Sequence, residues 1–288
     1  MVRGQMKKEY DFAFSLGFSC ACSESLRAEG LQFESCPFDW VGVTDVLQTA
    51  RLVANGFEGW LERGDLDLWD VRITGGFVTR VYRNRKTGIG FVHEFSNDAG
   101  LDAAYPAVKA KFDRRIPRFL ERLRRSRRVL AVYLEVSKSP RASNETLVEA
   151  RRLLTQKFPE TSFDLLYLYE DPEAKTWSVE PPVADGVTTV RLDYRTYLNG
   201  EIMHLCHNEQ IRDCLRSLAS VPDVRTDEQK AAFASFKRDE VKNALGKTWL
   251  ERKVNKKLRK LFRDLESYLE GQHILPGDRP LWFDGDGK

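Results

Sequence analysis

Cys20 lies where an apolar, strand-like run ends and a helix-like stretch begins. The run from Asp11 to Cys20 turns at Gly17, and the stretch from Ala21 to Glu29 has helical character. A helix N-terminus presents backbone N–H groups and the positive end of the helix dipole, and both favour the thiolate over the thiol. Because the thiolate is the nucleophilic form, the sequence predicts a candidate nucleophile at Cys20.

Four short motifs accompany this cysteine along the chain. They are Ser15-Leu16-Gly17-Phe18-Ser19-Cys20, Pro37-Phe38-Asp39-Trp40, Phe91-Val92-His93-Glu94-Phe95 and Asp113-Arg114-Arg115-Ile116-Pro117-Arg118-Phe119. Together, over about residues 9 to 200, they resemble an uncharacterised bacterial family whose description is "putative papain-like cysteine peptidases". The resemblance implies Cys20 as nucleophile, His93 as its base and Asp39 as an orienting group.

This trio has a physical rationale. A thiol with a pKa of about 8.5 is only a few per cent ionised at neutral pH, so an adjacent imidazole is needed to take its proton. A carboxylate can then fix the tautomer of the imidazole, and backbone N–H groups around Cys20 and Ala21 can hold an oxyanion. Such a site performs acyl transfer and needs no cofactor.

Further residues of these motifs are candidates for holding substrate or an anion. Ser15, Gly17, Ser19 and Trp40 surround the predicted nucleophile and its partner motif. Arg114, Arg115 and Arg118 could grip a phosphate or carboxylate in bidentate fashion, although an arginine run is most often a solvated helix face.

Each of these residues also has a purely structural interpretation. Cys20 could be a small buried hydrophobe, and His93 could be a satisfied core histidine between aromatic neighbours. Asp39 could cap a turn while Trp40 fills the core.

A second cluster holds His204, Cys206 and His207. These three residues lack a second ligand group at zinc spacing, so we expect no metal site.

The pattern of apolar runs favours an α/β fold with a mostly parallel sheet and flanking helices; a papain-like α+β fold is the alternative. Strand-like runs at 129–134, 163–169 and 187–192 alternate with helical stretches at 144–158 and 205–218. We expect an α/β domain over residues 1–220, with an aromatic-rich insertion at about 31–100 after the first helix and a hairpin turn at 86–88. Residues 221–288 read as a charged helical extension, of which 247–270 could contact a partner.

Composition excludes several classes of protein. The net charge of +3 is too small to indicate nucleic acid, and no run of apolar residues is long enough for a signal peptide or a membrane span. Five cysteines spread over 288 residues do not form a disulfide framework, so we expect reduced thiols in a bacterial-type cytoplasm.

Three functions remain open from the sequence. The first is a cysteine-dependent peptidase or amidase that uses Cys20 and His93, acting on a peptide or small-molecule acyl substrate. The second is an acyltransferase that passes the acyl group from the same thiol to a glycan or metabolite. The third is a non-catalytic module that binds a phosphate or sugar nucleotide through the three arginines.

Overall fold

The computed structural model describes residues 7–18, 20–42, 45–74, 77–92, 94–95, 100–135, 141–171, 173–192 and 208–230. The strands are β1 (Lys8–Glu9), β2 (Phe12–Gly17), β3 (Leu66–Thr74), β4 (Phe77–Asn84), β5 (Gly90–Phe91), β6 (Arg128–Leu134), β7 (Ser162–Glu170), β8 (Ser178–Val179), β9 (Val187–Leu192) and β10 (Ala219–Ser220). The helices are α1 (Cys20–Ala28), α2 (Val46–Ala54), α3 (Leu101–Arg125), α4 (Asn144–Lys157) and α5 (Glu209–Leu218).

A five-stranded sheet in the order β2-β6-β7-β9-β8 forms the centre of the fold. Its first four strands are parallel, and only β8 pairs antiparallel, to β9. β6 and β7 are buried along almost their whole length because helices cover both faces, which explains their continuous apolar runs. The strand–helix alternation and the parallel pairing confirm the predicted α/β class.

The helices between β2 and β6 pack on the sheet through aromatic side chains. Phe119 of α3 contacts Phe14 of β2 with ring centroids 5.0 Å apart. Because proline lacks a backbone N–H, the sequence predicts a kink or break near Pro117, but α3 continues from Leu101 to Arg125 without a break. The buried Phe112 and Phe119 on either side hold both halves of the helix against the core, which compensates for the lost backbone hydrogen bond.

The insertion after α1 forms a second sheet, in the order β3-β4-β5. The predicted hairpin turn is confirmed, since β4 and β5 pair antiparallel across it and Gly88 adopts a φ of 71°. The indole of Trp60 lies 5.4 Å from the rings of both Phe91 and Phe112, so the insertion joins the core of the main sheet.

The last elements of the predicted domain pack against its first elements. β10 pairs in parallel with β1, and α5 packs against α1. Of the predicted charged extension, the structure describes only residues 221–230, and the partner-binding stretch 247–270 lies outside the described residues, so the domain boundary stays a prediction. Within the described ranges, no helix is both long enough and apolar enough to cross a membrane.

Candidate active site

The turn from β2 into α1 delivers Cys20 to the carboxyl edge of the sheet. Gly17 has a φ of 111°, a left-handed conformation that favours glycine, and its N–H donates to Ser15 Oγ at 3.0 Å. The helix then begins at Cys20 itself, one residue earlier than the sequence predicts. Cys20 is partly exposed, so a cysteine at a helix N-terminus lies at the surface of the described fold.

The other described cysteines have a different environment. Cys22, Cys36 and Cys214 are buried, and burial raises the pKa of all three thiols, that of Cys22 to about 12. Burial disfavours the charged thiolate because it removes the water that would solvate it. Cys22 and Cys36 are therefore packing residues, and Cys20 differs from them in being partly exposed.

Asp39 is the centre of a buried polar cluster. Its carboxylate accepts hydrogen bonds from the Arg27 guanidinium, from Gln32 Nε2 at 3.0 Å and from the Cys36 N–H at 2.7 Å. Burial raises the pKa of the Asp39 carboxyl, and the Arg27 guanidinium is the main influence in the opposite direction. Because these bonds all hold the turn before Trp40, the carboxylate has the turn-capping role weighed above.

A single hydroxyl connects this turn to the nucleophile. Ser23 Oγ lies 3.0 Å from the carbonyl oxygen of Cys20 and 3.1 Å from that of Asp39, and its proton is shared between them. The first turn of α1 and the Asp39 turn are therefore in direct contact, so two of the sequence motifs meet in space.

A backbone bridge joins the chain that precedes the histidine motif to the segment that follows the Asp39 turn. The N–H of Gly42 donates to the Gly90 carbonyl at 2.7 Å, and the N–H of Gly90 donates back to the Gly42 carbonyl at 2.9 Å. A Cβ on Gly90 would lie 3.3 Å from the Trp69 ring, so glycine allows this close approach without displacing the indole. Trp69 is also the extra residue of a register shift in β3, a device that redirects a side chain.

The chain is fixed again just after His93. Glu94 is buried and pairs with Lys111 of α3, and the Arg115 guanidinium lies 3.9 Å from it. Burial lowers the pKa of Arg115, and the charge of Asp39 is the main opposing influence, so Arg115 stands between the two acidic side chains. The segments on both sides of His93 are thus tied to the Asp39 cluster.

The remaining predicted site residues divide into three groups. Trp40 is partly exposed, with the Arg27 guanidinium 5.5 Å from its ring centroid, and Ser15 is fully buried. Arg114 is exposed, whereas Arg118 pairs with Glu34 at 3.3 Å, so the three arginines do not converge on one point. A last group lies outside the described residues, and it comprises Ser19, His93, His204, Cys206 and His207.

Sequence reasoning missed the residues that hold the motifs together. Ser23, Arg27 and Gln32 belong to none of the motifs. Spacing from Cys20 on the predicted helix could have suggested a role for Ser23 and Arg27, whereas Gln32 lies beyond that helix and gave no signal. In the part of the chain that the structure describes, no group of three or more His, Cys, Asp or Glu side chains could hold a metal ion.

The fold and this site define an α/β protein with an accessible cysteine at a helix N-terminus, the arrangement of a cysteine hydrolase. The chain belongs to the family described as "Putative papain-like cysteine peptidase (DUF1796)", whose model matches residues 11–171. This match confirms the family resemblance, while the correspondence of individual motif residues stays a prediction.

A curated relative is the "Uncharacterized protein R408" of Acanthamoeba polyphaga mimivirus. It is 28% identical over 179 residues, which cover 57% of this chain and 79% of the viral protein. Because this relative is viral, it gives no support to a bacterial origin. No solved structure matches the chain.

Proposed function

We propose that this protein is a cysteine-dependent acyl-transfer hydrolase, a peptidase or amidase in which Cys20 is the nucleophile and His93 its base. The observation that carries the proposal is the partly exposed Cys20 at the start of α1, in contrast to the three other described cysteines, which burial keeps as thiols. Helix position and accessibility are the two features that distinguish a reactive cysteine from a structural one.

The proposed reaction proceeds in two steps. His93 takes the Cys20 proton, the thiolate attacks the carbonyl carbon of the substrate, and the resulting oxyanion is stabilised by the positive end of α1. The C–N bond then breaks as the imidazolium returns its proton to the leaving amine, which leaves a thioester on Cys20. Water, deprotonated by His93, cleaves the thioester, releasing the carboxylic acid and restoring the thiol.

Asp39 acts as the orienting group in this proposal, and it does so through the backbone. Its carboxylate holds the turn that leads to Gly42, and Gly42 pairs with Gly90 three residues before His93. Glu94, which pairs with Lys111 of α3, restrains the chain on the other side of His93. The two anchors restrain the chain on either side of His93.

Trp40 and Ser19 complete the proposed substrate site, whereas Ser15 and Gly17 are buried and shape the turn through the hydrogen bond from the Gly17 N–H to Ser15 Oγ. The partly exposed Trp40 ring offers an apolar surface beside the turn that Ser23 links to Cys20. A cytoplasmic location is part of the proposal, since a nucleophilic thiol must remain reduced.

Trapping of an acyl-enzyme tests this function. The protein is incubated briefly with p-nitrophenyl acetate and quenched in acid before the thioester hydrolyses, and the acetyl group is located by peptide mass spectrometry in the wild type, Cys20→Ala and Cys22→Ala. We expect one acetyl group on Cys20, its loss in Cys20→Ala and its retention in the matched control Cys22→Ala, which removes a buried thiol two residues away. His93→Gln should slow acetylation by about 100-fold or more, the usual contribution of a general base.

Two results would change the conclusion. Acetylation that persists at the same rate in Cys20→Ala would exclude this thiol as nucleophile. An acetyl-Cys20 that is stable in water but is discharged by added amines or alcohols would indicate an acyltransferase in place of a hydrolase.

A further inference from the structure

An acidic side chain is buried at the carboxyl edge of the sheet, one strand away from the nucleophile. Glu135 follows β6 directly, is 6% exposed, and donates its backbone N–H to the Leu168 carbonyl at 2.7 Å. Its carboxyl oxygen Oε2 accepts a hydrogen bond from the Tyr167 hydroxyl at 3.1 Å. Tyr167 in turn accepts from the Ala142 N–H at 3.0 Å, so the group that holds Glu135 is itself fixed.

Tyr133 lies beside this pair and has an unused polar group. Its ring stacks on that of Tyr167, with centroids 5.8 Å apart and planes 11° apart, so the two phenols extend together toward Glu135. Tyr133 is fully buried, and its hydroxyl has no hydrogen-bond partner among the described residues. Leaving a buried hydroxyl unpaired is costly, and such groups in native proteins often have a functional reason.

This cluster adjoins the strand that carries the nucleophile. Tyr133 is the register partner of Gly17, three residues before Cys20, and the Cys22 thiol donates to the Val132 carbonyl at 3.5 Å. β2 and β6 leave the sheet at the same edge, and neighbouring strands lie about 4.8 Å apart. The carboxyl of Glu135 leans toward Tyr167 on β7, two strands from β2, so it and the Cys20 thiol are separated by about two strand spacings, roughly 10 Å.

The charges around Glu135 set the pH at which it ionises. Burial raises its pKa to about 7, Asp45 at the N-cap of α2 acts in the same direction, and the Tyr167 hydrogen bond opposes both. Tyr133 and Tyr167 face the carboxyl group from β6 and β7, and Arg141, before α4, faces Tyr167. The carboxyl group thus gains or loses its charge in the range in which a cysteine enzyme works.

We propose that Glu135 tunes the Cys20 site by its charge: its carboxylate, buried at the sheet edge next to the β2–α1 turn, opposes ionisation of the Cys20 thiol. This inference rests on the proposed function, because it assigns Glu135 a role in activating that nucleophile. Two negative charges roughly 10 Å apart near a protein surface disfavour each other by a factor on the order of ten in the ionisation equilibrium. Protonation of Glu135 therefore favours the Cys20 thiolate, and ionisation of Glu135 disfavours that thiolate.

The pH dependence of Cys20 alkylation tests the coupling. The full chain is labelled with iodoacetamide between pH 5 and 10, and labelling of Cys20 is followed by peptide mass spectrometry. The wild type is compared with Glu135→Gln and with Glu173→Gln, a matched control that removes an exposed carboxylate after β7. We expect the midpoint of Cys20 labelling to fall by about half a pH unit or more in Glu135→Gln and to stay unchanged in the control.

Tyr167→Phe tests the titration of Glu135 itself, because a purely structural role of Glu135 would leave the pH dependence of Cys20 labelling unchanged. Loss of the hydroxyl removes the hydrogen bond that stabilises the ionised carboxylate, so the inflection near pH 7 in the labelling profile should move to higher pH. A Glu135→Gln profile that superimposes on that of the wild type would overturn the inference while leaving the proposed function intact. Cys20 labelling with the pKa of an ordinary thiol in the wild type would count against the proposed function instead.

Discussion

Replacing Glu135 by Gln should stabilise the protein at neutral pH, and the gain should disappear in acid. The folded protein holds this carboxyl in a buried site, where its pKa is raised from 4.5 to about 7, mainly by burial. Glutamine has nearly the same shape, and its side-chain oxygen can still accept the Tyr167 hydrogen bond. The substitution therefore removes the buried charge with little change in packing.

The magnitude and sign of this effect follow from linkage between protonation and folding. Because the raised pKa means that the folded protein binds the proton more tightly than the unfolded chain, the wild type loses stability as the pH rises between 4.5 and about 7. Each unit of difference in pKa corresponds to about 1.4 kcal/mol, so the loss is about 3 kcal/mol above this range. Below pH 4.5 the carboxyl group is neutral in both states, and the variant should match the wild type.

Urea denaturation of both proteins at pH 4, 6 and 8 measures the difference directly. Other titrating groups are common to the two proteins and cancel in the comparison. The free energy of unfolding of Glu135→Gln should exceed that of the wild type by about 3 kcal/mol at pH 8, by a smaller amount at pH 6 and by almost nothing at pH 4. A difference that is the same at all three pH values would refute the assignment of Glu135 as a buried acid with a raised pKa.

Two further substitutions test the contacts that bring the motifs together. Asp39→Asn should lower the free energy of unfolding by about 3 kcal/mol, because it leaves the mostly buried Arg27 without its counter-ion. Asp113→Asn, which breaks an exposed pair, should change that free energy by less than about 0.5 kcal/mol, and equal effects of the two in urea denaturation would contradict the buried-pair argument. Gly90→Ala places a Cβ 3.3 Å from the Trp69 ring and should destabilise the protein by about 1–2 kcal/mol; a thermal melting midpoint equal to that of the wild type would argue against the close approach.

The sequence predicted the elements of the sheet well because their burial leaves a local trace. A strand covered on both faces must be apolar throughout, so the run that became β6 was recognisable, and Cys20 was placed correctly at the start of α1. The short strand β8 was missed because two residues carry too little pattern. The break predicted near Pro117 is wrong, because local propensity does not include the packing of Phe112 and Phe119 on either side of it.

The assembly of the site could not be predicted from the sequence for a different reason. Ser23 contacts Asp39, 16 positions further along the chain, and Gly42 contacts Gly90, with β3 and β4 between them in the sequence. Neither contact therefore leaves a periodic signal. Glu135 did leave a trace, as an acidic residue directly after a buried strand at the edge where ligands bind in open α/β sheets. The contacts that position the motifs therefore come from the tertiary fold, whereas the motifs themselves are visible in the chain.

The pKa of the Cys20 thiol is the measurement that tests the central claim most directly. It is obtained from the pH dependence of iodoacetamide labelling at Cys20, in the wild type and in His93→Gln. A helix N-terminus and a neighbouring imidazole should give a wild-type pKa well below the value of about 8.5 for an ordinary thiol, and His93→Gln should return it toward that value. A wild-type pKa at or above about 8.5, unaffected by His93→Gln, would contradict the account of Cys20 as an activated nucleophile.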